Sequence, residues 1–198
     1  MKKKTLAPGI VLYSEVIKDS SGLVEGIESE ASKIGLNWSL SEAVIDGVVL
    51  VDATIRDSDA IYIDYQDYEF KGFMNEQHAF SAKLGNIFYS SFKDLEADYK
   101  NEYGITTSWH DMYGILKYGP GQKIVNHIDD NIKFNRKVST VYYINDNYTG
   151  GEIVFPRFDL TYKPVADDLL IFPSTYVYNH SVLPVIEGTR YSVVSWLR

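Results

Sequence analysis

Apolar residues recur at helical steps through the first half of the chain. Between Ser20 and Ile34, the residues Leu23, Val24, Ile27, Ala31 and Ile34 fall three and four apart, the stripe of an amphipathic helix. Ser20 or Ser21 is the expected cap at its start and Gly35 the expected stop. A second helical stretch is expected from about Phe73 to Tyr103, where Phe80, Leu84, Ile87, Phe88, Leu95 and Tyr99 repeat the same steps. Gly85-Asn86 is a candidate break that would divide it into two helices. The segment from Asp46 to Tyr68, rich in aspartate and β-branched residues, points to no single element.

From about Trp109 the texture changes to short apolar or alternating runs between turn residues. Eight strands are expected, near 109–118, 123–128, 137–145, 151–155, 159–163, 168–172, 177–184 and 189–197. The separators include Gly119-Pro120-Gly121, Asp129-Asp130-Asn131, Gly150-Gly151, Pro173-Ser174 and Glu187-Gly188. This spacing fits a β-sandwich, a barrel or a jelly roll, with the helices packed on the outside of one sheet. The expected class is therefore mainly β with flanking helices (α+β). Residues 1–198 are read as one domain, with 1–105 a mixed helical and strand flank and 106–198 the β core.

Composition narrows the chemistry. The chain has 198 residues, 45% hydrophobic and 23% charged, a globular mixture that excludes disorder for most of its length. No apolar run approaches the roughly 18 residues of a membrane span. Acidic residues number 27 and basic ones 19, a net charge of −8 that argues against a broad electropositive surface for nucleic acid. Met1-Lys2-Lys3-Lys4 is read as the solvated terminus of a soluble cytoplasmic protein, because Pro8, Gly9 and Glu15 interrupt the apolar stretch after it. There is no cysteine, which excludes disulfides, thiolate metal sites, iron–sulfur clusters and cysteine nucleophiles. A metal here must be held by carboxylates and by histidines drawn from His78, His110, His127 and His180.

One constellation stands out. In an extended chain His127 and Asp129 point to the same side, and His180 lies on a later strand. Two imidazoles and one carboxylate compose the facial triad that leaves coordination positions open on iron(II). The same residues also describe a polar turn and a hydrogen-bonded strand histidine. Arg190 follows His180 across the Glu187-Gly188 turn, so two neighbouring strands would bring both toward one cavity. A buried guanidinium needs an anion, and its fork matches a carboxylate; a surface arginine would instead pair with one of the chain's many acids. His78, inside a helical region, and His110, ahead of the first strand, have no second ligand at strand spacing and are expected to be structural.

From Tyr118 to Trp196 the chain resembles the iron(II)/2-oxoglutarate-dependent oxygenase superfamily, in its prolyl 4-hydroxylase-like branch. The resemblance rests on the order of Tyr118-Gly119-Pro120-Gly121, His127-Ile128-Asp129, Val141-Tyr142-Tyr143-Ile144-Asn145 and Gly150-Gly151-Glu152. These are followed by Phe155-Pro156, Leu169-Leu170-Ile171-Phe172-Pro173, His180-Ser181-Val182-Leu183-Pro184-Val185, Gly188-Thr189-Arg190-Tyr191 and Trp196. It implies a double-stranded β-helix (jelly roll) core packed by the N-terminal helices. It implies His127, Asp129 and His180 as iron ligands and catalytic residues, and Arg190 as partner of the distal 2-oxoglutarate carboxylate. Tyr118 and Tyr143 would line the cosubstrate pocket, and Ser192, on the same face as Arg190, would assist.

The implied activity is that of a dioxygenase using Fe(II), 2-oxoglutarate and O2, with ascorbate a candidate reductant. It would hydroxylate an unactivated C–H bond and release succinate and CO2. A carboxylate at Asp129, where halogenating relatives carry a small residue, argues for hydroxylation. A prolyl or other peptidyl residue is the first substrate class, a free amino acid or other small molecule the second. Nucleic-acid demethylation ranks third, since demethylating relatives pair two arginines six apart whereas Arg190 is followed next by Arg198. A non-catalytic binding protein on the same fold is the alternative from another class. More loosely, Thr54-Ile55-Arg56-Asp57-Ser58 resembles a segment bordering the substrate opening of prolyl hydroxylase relatives, which makes Arg56 a candidate contact. Asp167-Asp168 stands where relatives often carry glycine, a departure expected to alter a turn and leave the chemistry alone.

Overall fold

The computed structural model describes residues 1–17, 20–45, 48–63, 75–130 and 133–198. The N-terminal part contains β1 (Lys2–Ala7), β2 (Ile10–Ser14), α1 (Leu23–Lys33), β3 (Ser39–Leu40), β4 (Ala43–Ile45), β5 (Val48–Leu50), β6 (Asp59–Ile63) and α2 (Glu76–Tyr103). The C-terminal part contains β7 (Tyr113–Tyr118), β8 (Ile124–His127), β9 (Val138–Tyr143), β10 (Thr149–Gly150), β11 (Ile153–Phe155) and β12 (Leu160–Tyr162). It ends with β13 (Asp168–Pro173), β14 (His180–Val182), β15 (Val185–Glu187) and β16 (Arg190–Leu197). Among the described residues no helix is long and apolar enough to cross a membrane.

The strands build an eight-stranded sheet in the order β1-β2-β13-β9-β16-β7-β6-β3, faced by a four-stranded sheet in the order β12-β11-β14-β8. The large sheet is covered on both sides, and its strands sort their side chains by parity. Val11, Tyr13, Ile61, Tyr113, Ile115, Tyr142, Leu169, Ile171, Tyr191 and Val193 pack with the helices. Leu12, Ala60, Leu116, Tyr118, Val141, Tyr143, Leu170, Phe172, Val194 and Trp196 face the small sheet. With both faces buried, β9 and β16 have no exposed position. This is the expected mainly β architecture with helices outside one sheet. The flank is not separate from the core, however: β1, β2, β3 and β6 are strands of the same large sheet.

Several local expectations are corrected. The serines at 20 and 21 do not cap α1. The chain enters it through Gly22 at φ 82°, a left-handed turn glycine takes without cost, and no side chain bonds the first amides. Gly35, at φ 67°, follows the end of the helix. Gly85-Asn86 does not divide α2, which runs unbroken from its Asn75 cap to Gly104. Gly85 is buried there, and the neighbouring Leu84 and Phe88 fasten the helix to the sheet. Phe88 and Phe92 pack against Tyr113 and Tyr142, with centroids 5.5 and 5.2 Å apart for Phe88–Tyr113 and Phe92–Tyr142. Such packing outweighs a propensity cost of about 1 kcal/mol for one glycine. The expected start of this helix, at 73 and 74, lies outside the described residues.

The N-terminus is exposed but ordered. β1 is an edge strand on β2, its lysines blunting the edge, and Lys3 reaches Asp98 at 2.6 Å. In the segment from Asp46 to Tyr68 the described parts supply β5, β6 and half of the β4–β5 hairpin; Asp46, Gly47 and residues from 64 onward lie outside. The strand expected at 177–184 begins only at His180, because Tyr176–Tyr178 forms a 3₁₀ turn, and the Glu187 side of the expected turn belongs to β15.

Two glycines separate backbone strain from crowding. A Cβ at Gly104 (φ 64°) meets nothing within 4 Å. At Gly150 (φ 72°) it would lie 2.3 Å from the Pro184 carbonyl oxygen. Gly104→Ala is expected to cost about 1–2 kcal/mol from left-handed strain alone. Gly150→Ala should cost clearly more, as a larger fall in the urea midpoint.

Candidate active site

The cleft between the two sheets brings together His127, Asp129, His180, Arg190 and Tyr118, while Tyr143, also expected there, is not among its lining residues. His127 ends β8 and pairs in register with His180, the first residue of β14, with ring centroids 4.3 Å apart. The strand stops at His127, so Asp129 is placed by the bend just after it. Its carboxylate still lies 3.6 Å from His127 Nε2 and 3.7 Å from His180 Nε2. The three ligand atoms fall within 4.8 Å of one another, with Asp129 and His180 buried and His127 partly so.

Backbone carbonyls fix both tautomers. His127 Nδ1 lies 2.9 Å from the Val125 carbonyl and His180 Nδ1 lies 3.1 Å from that of Tyr178. A carbonyl only accepts, so each Nδ1 carries the proton and each Nε2 keeps its lone pair toward the common point. Burial and the neighbouring His127 push the His180 imidazole down to about 4, which keeps it neutral at pH 7. Burial alone would raise Asp129, but His180, His127 and the Arg136 guanidinium together hold its carboxyl well below the usual range. A neutral His180 imidazole beside an ionised Asp129 carboxylate is the donor state a divalent cation requires.

Arg190 reaches the same cleft by a route the sequence did not suggest. It and His180 are not on neighbouring strands around a turn: β15 intervenes, and β16 belongs to the opposite sheet. The two residues face each other across the gap. The cleft, about 400 Å³ counted to its mouth, is lined by His127, Asp129, His180, Arg190, Tyr118 and Ser192 among others. Register explains the grouping. Arg190 lies opposite Tyr118 on β7, and Ser192 lies opposite Tyr143 on β9, so all four share one face.

Arg190 is 1% exposed. Its Nη1 donates to Ser192 Oγ at 3.0 Å, and its Cζ lies 4.9 and 5.1 Å from the Tyr118 and Tyr143 ring centroids. Its Nε and the Tyr143 hydroxyl are buried without a hydrogen-bond partner. A full positive charge with spare donors, sealed among aromatic rings, is a receptor for an anion.

The remaining predicted residues divide cleanly. Arg56 lines the cleft, with an isolated bridge to Ile124 and Nη1 on the Glu42 carbonyl at 3.1 Å. His110 pairs with buried Glu96 at 3.2 Å, and the His78 amide donates to the Asn75 cap; neither joins the triad. Asp167 takes a left-handed φ of 68° and accepts from the Ile17 amide and the Tyr142 hydroxyl, while Asp168 accepts from Ser14. The departure from glycine thus ties β13 to its neighbours.

Three residues at the site were missed. Ser139 donates to Asp129 Oδ2 at 2.7 Å, Arg136 lies 3.4 Å from Asp111 and 3.5 Å from the Trp196 ring, and Tyr148 sits beside Arg190. Strand parity offered one signal, since Ser139 shares its face of β9 with Val141 and Tyr143.

Residues 113–198 match the family model described as the 2OG-Fe(II) oxygenase superfamily. The match covers 86 of the 198 residues, under half of the chain. The chain is 33% identical over 86 residues to a hypoxia-inducible factor prolyl hydroxylase of Caenorhabditis elegans, covering 39% of this chain and 12% of that protein. It is 30% identical over 90 residues to a PKHD-type hydroxylase of Maricaulis maris, covering 42% and 40%. The chain thus spans well under half the length of these curated relatives.

The fold is shared with solved structures. A Pseudomonas putida prolyl-4-hydroxylase superposes with a TM-score of 0.67 at 20% identity, covering 96% of this chain and 92% of that one. A Trichoplax adhaerens prolyl hydroxylase, solved with a hypoxia inducible factor peptide fragment, gives 0.70 at 19% identity, covering 96% and 83%. The implied double-stranded β-helix is the fold found.

The donor set fits iron(II), and the free guanidinium fits a dicarboxylate cosubstrate. With Co(II) at a hundredfold excess over its dissociation constant, the folded state should gain about 2.7 kcal/mol, read as a rise in Tm. Asp129→Ala is expected to abolish that rise. Ser139→Ala should weaken cobalt binding by roughly 10–100-fold, as loss of an outer-shell partner does.

Proposed function

We propose that the protein is an Fe(II)- and 2-oxoglutarate-dependent dioxygenase that hydroxylates an unactivated C–H bond of a peptidyl residue, prolyl first, releasing succinate and CO2. The observation that carries this reading is one cleft holding both a His-Asp-His triad and a buried guanidinium with unfilled donors. His127, Asp129 and His180 would hold the iron, and Arg190, Tyr118 and Tyr143 the cosubstrate. Bound together, iron(II) and 2-oxoglutarate supply the dioxygen activation that such a C–H bond demands.

The chain's own residues do the rest. Val125 and Tyr178 aim the imidazoles through their carbonyls. Ser139 and Arg136 hold the Asp129 carboxylate in place and ionised. Val141, Val182 and Val194, apolar side chains lining the cleft, exclude water from the reacting bond. A peptide substrate is supported by the prolyl hydroxylase relatives and by apolar Val125 and Ile128, which stay exposed on and beside the edge strand β8. Arg56 at the cleft is the candidate substrate contact. A single domain over 1–198 is supported by the N-terminal strands that complete the large sheet.

Succinate release with Fe(II), 2-oxoglutarate and ascorbate, screened against proline-containing peptides, amino acids and oligonucleotides, tests the reading. Peptides should stimulate turnover, and Asp129→Ala should abolish it; wild-type turnover in that variant would refute the ligand assignment. Arg190→Ala should raise the 2-oxoglutarate requirement by roughly a hundredfold or more while leaving the iron requirement nearly unchanged.

A further inference from the structure

Tyr148 lies in the connection between β9 and β10, 6% exposed, and its hydroxyl has no hydrogen-bond partner. Leaving a phenol dry and unpaired costs stability, so its place needs a reason. The surroundings show that the ring is held where it is. Lys163 Nζ sits 3.8 Å over its face and donates to the Tyr148 and Gly150 carbonyls at 3.1 and 2.6 Å. Two glycines make room for it. A Cβ at Gly151 would lie 3.1 Å from Tyr148 Cε2 and 3.0 Å from Arg190 Cδ. A Cβ at Gly188 would lie 3.1 Å from Tyr148 Cα. Arg190 acts on both the Tyr143 and Tyr148 hydroxyls, opposing the upward push that burial gives each phenol. Arg190 Nε, Tyr143 OH and Tyr148 OH are each buried without a partner, and Arg190 neighbours both phenols.

We propose that Tyr148 is a further cosubstrate-binding residue, whose hydroxyl donates to the distal carboxylate of the 2-oxo dicarboxylate anchored by Arg190. This rests on the dioxygenase reading above and adds a residue and a selectivity to it. The donor count fits the ligand. A carboxylate offers about four acceptor positions. The guanidinium fork fills two and Tyr143 a third. Tyr148 supplies the fourth, so the pocket selects a terminal carboxylate over an uncharged end of equal length.

The test is calorimetric and needs no turnover. Wild type and Tyr148→Phe are titrated, with Mn(II) bound, with 2-oxoglutarate and with 2-oxopentanoate, which keeps the 2-oxo acid end but ends in a methyl group. Wild type should prefer 2-oxoglutarate. Tyr148→Phe should weaken 2-oxoglutarate binding roughly tenfold or more and leave 2-oxopentanoate unchanged. The metal-free Tm should stay level or rise, because the substitution removes only the stranded oxygen. Unchanged 2-oxoglutarate affinity, or equal losses for both compounds, overturns the proposal. A wild type that binds neither compound, or does not discriminate between them, overturns the dioxygenase reading itself.

Discussion

Burial of the large sheet on both faces is the constraint on which the rest of the structure depends. Its central strands are almost wholly buried, so the sheet depends on α1 and α2 covering one side and the small sheet the other. Parity then becomes a sorting rule. Odd positions of β7 and β16 join the helix-side core, and even positions of the same strands face the small sheet. Tyr118, Arg190 and Ser192 owe their common cleft to that rule.

The cleft is polar only where charge is matched or left open for a ligand. Asp129 is surrounded by two imidazoles, a serine hydroxyl and a guanidinium. Arg190 is surrounded by phenols and a serine, with donors to spare. One end of the cavity is therefore built for a cation and the other for an anion. A chelating dicarboxylate would span the two, and a low-dielectric lining would strengthen each attraction.

Much of this was legible in the sequence, for identifiable reasons. Scarce histidine and absent cysteine narrowed the metal candidates, and the resemblance from Tyr118 to Trp196 singled out His127, Asp129 and His180. The β core could be read because turn residues punctuate it. The N-terminal strands could not: Lys2–Ala7 is exposed on an edge and lacks an apolar signature, and its order comes from pairing with β2. Gly85 misled because local propensity yields to the packing of Leu84 and Phe88. The Ser20 cap misled because Gly22 offered the backbone a different entry. Tyr148 was hidden among 16 tyrosines, with nothing local to separate a ligand-facing phenol from a packing one.

The pairing of His127 with His180 across β8 and β14 ties two properties usually discussed apart. Side chains alternate along a strand, so a slip of one residue would turn an imidazole out of the cleft and bring a neighbour in. An ion held by the triad would therefore favour this register of the small sheet over a slipped one. Binding of a metal and the alignment of this strand pair would then be thermodynamically coupled.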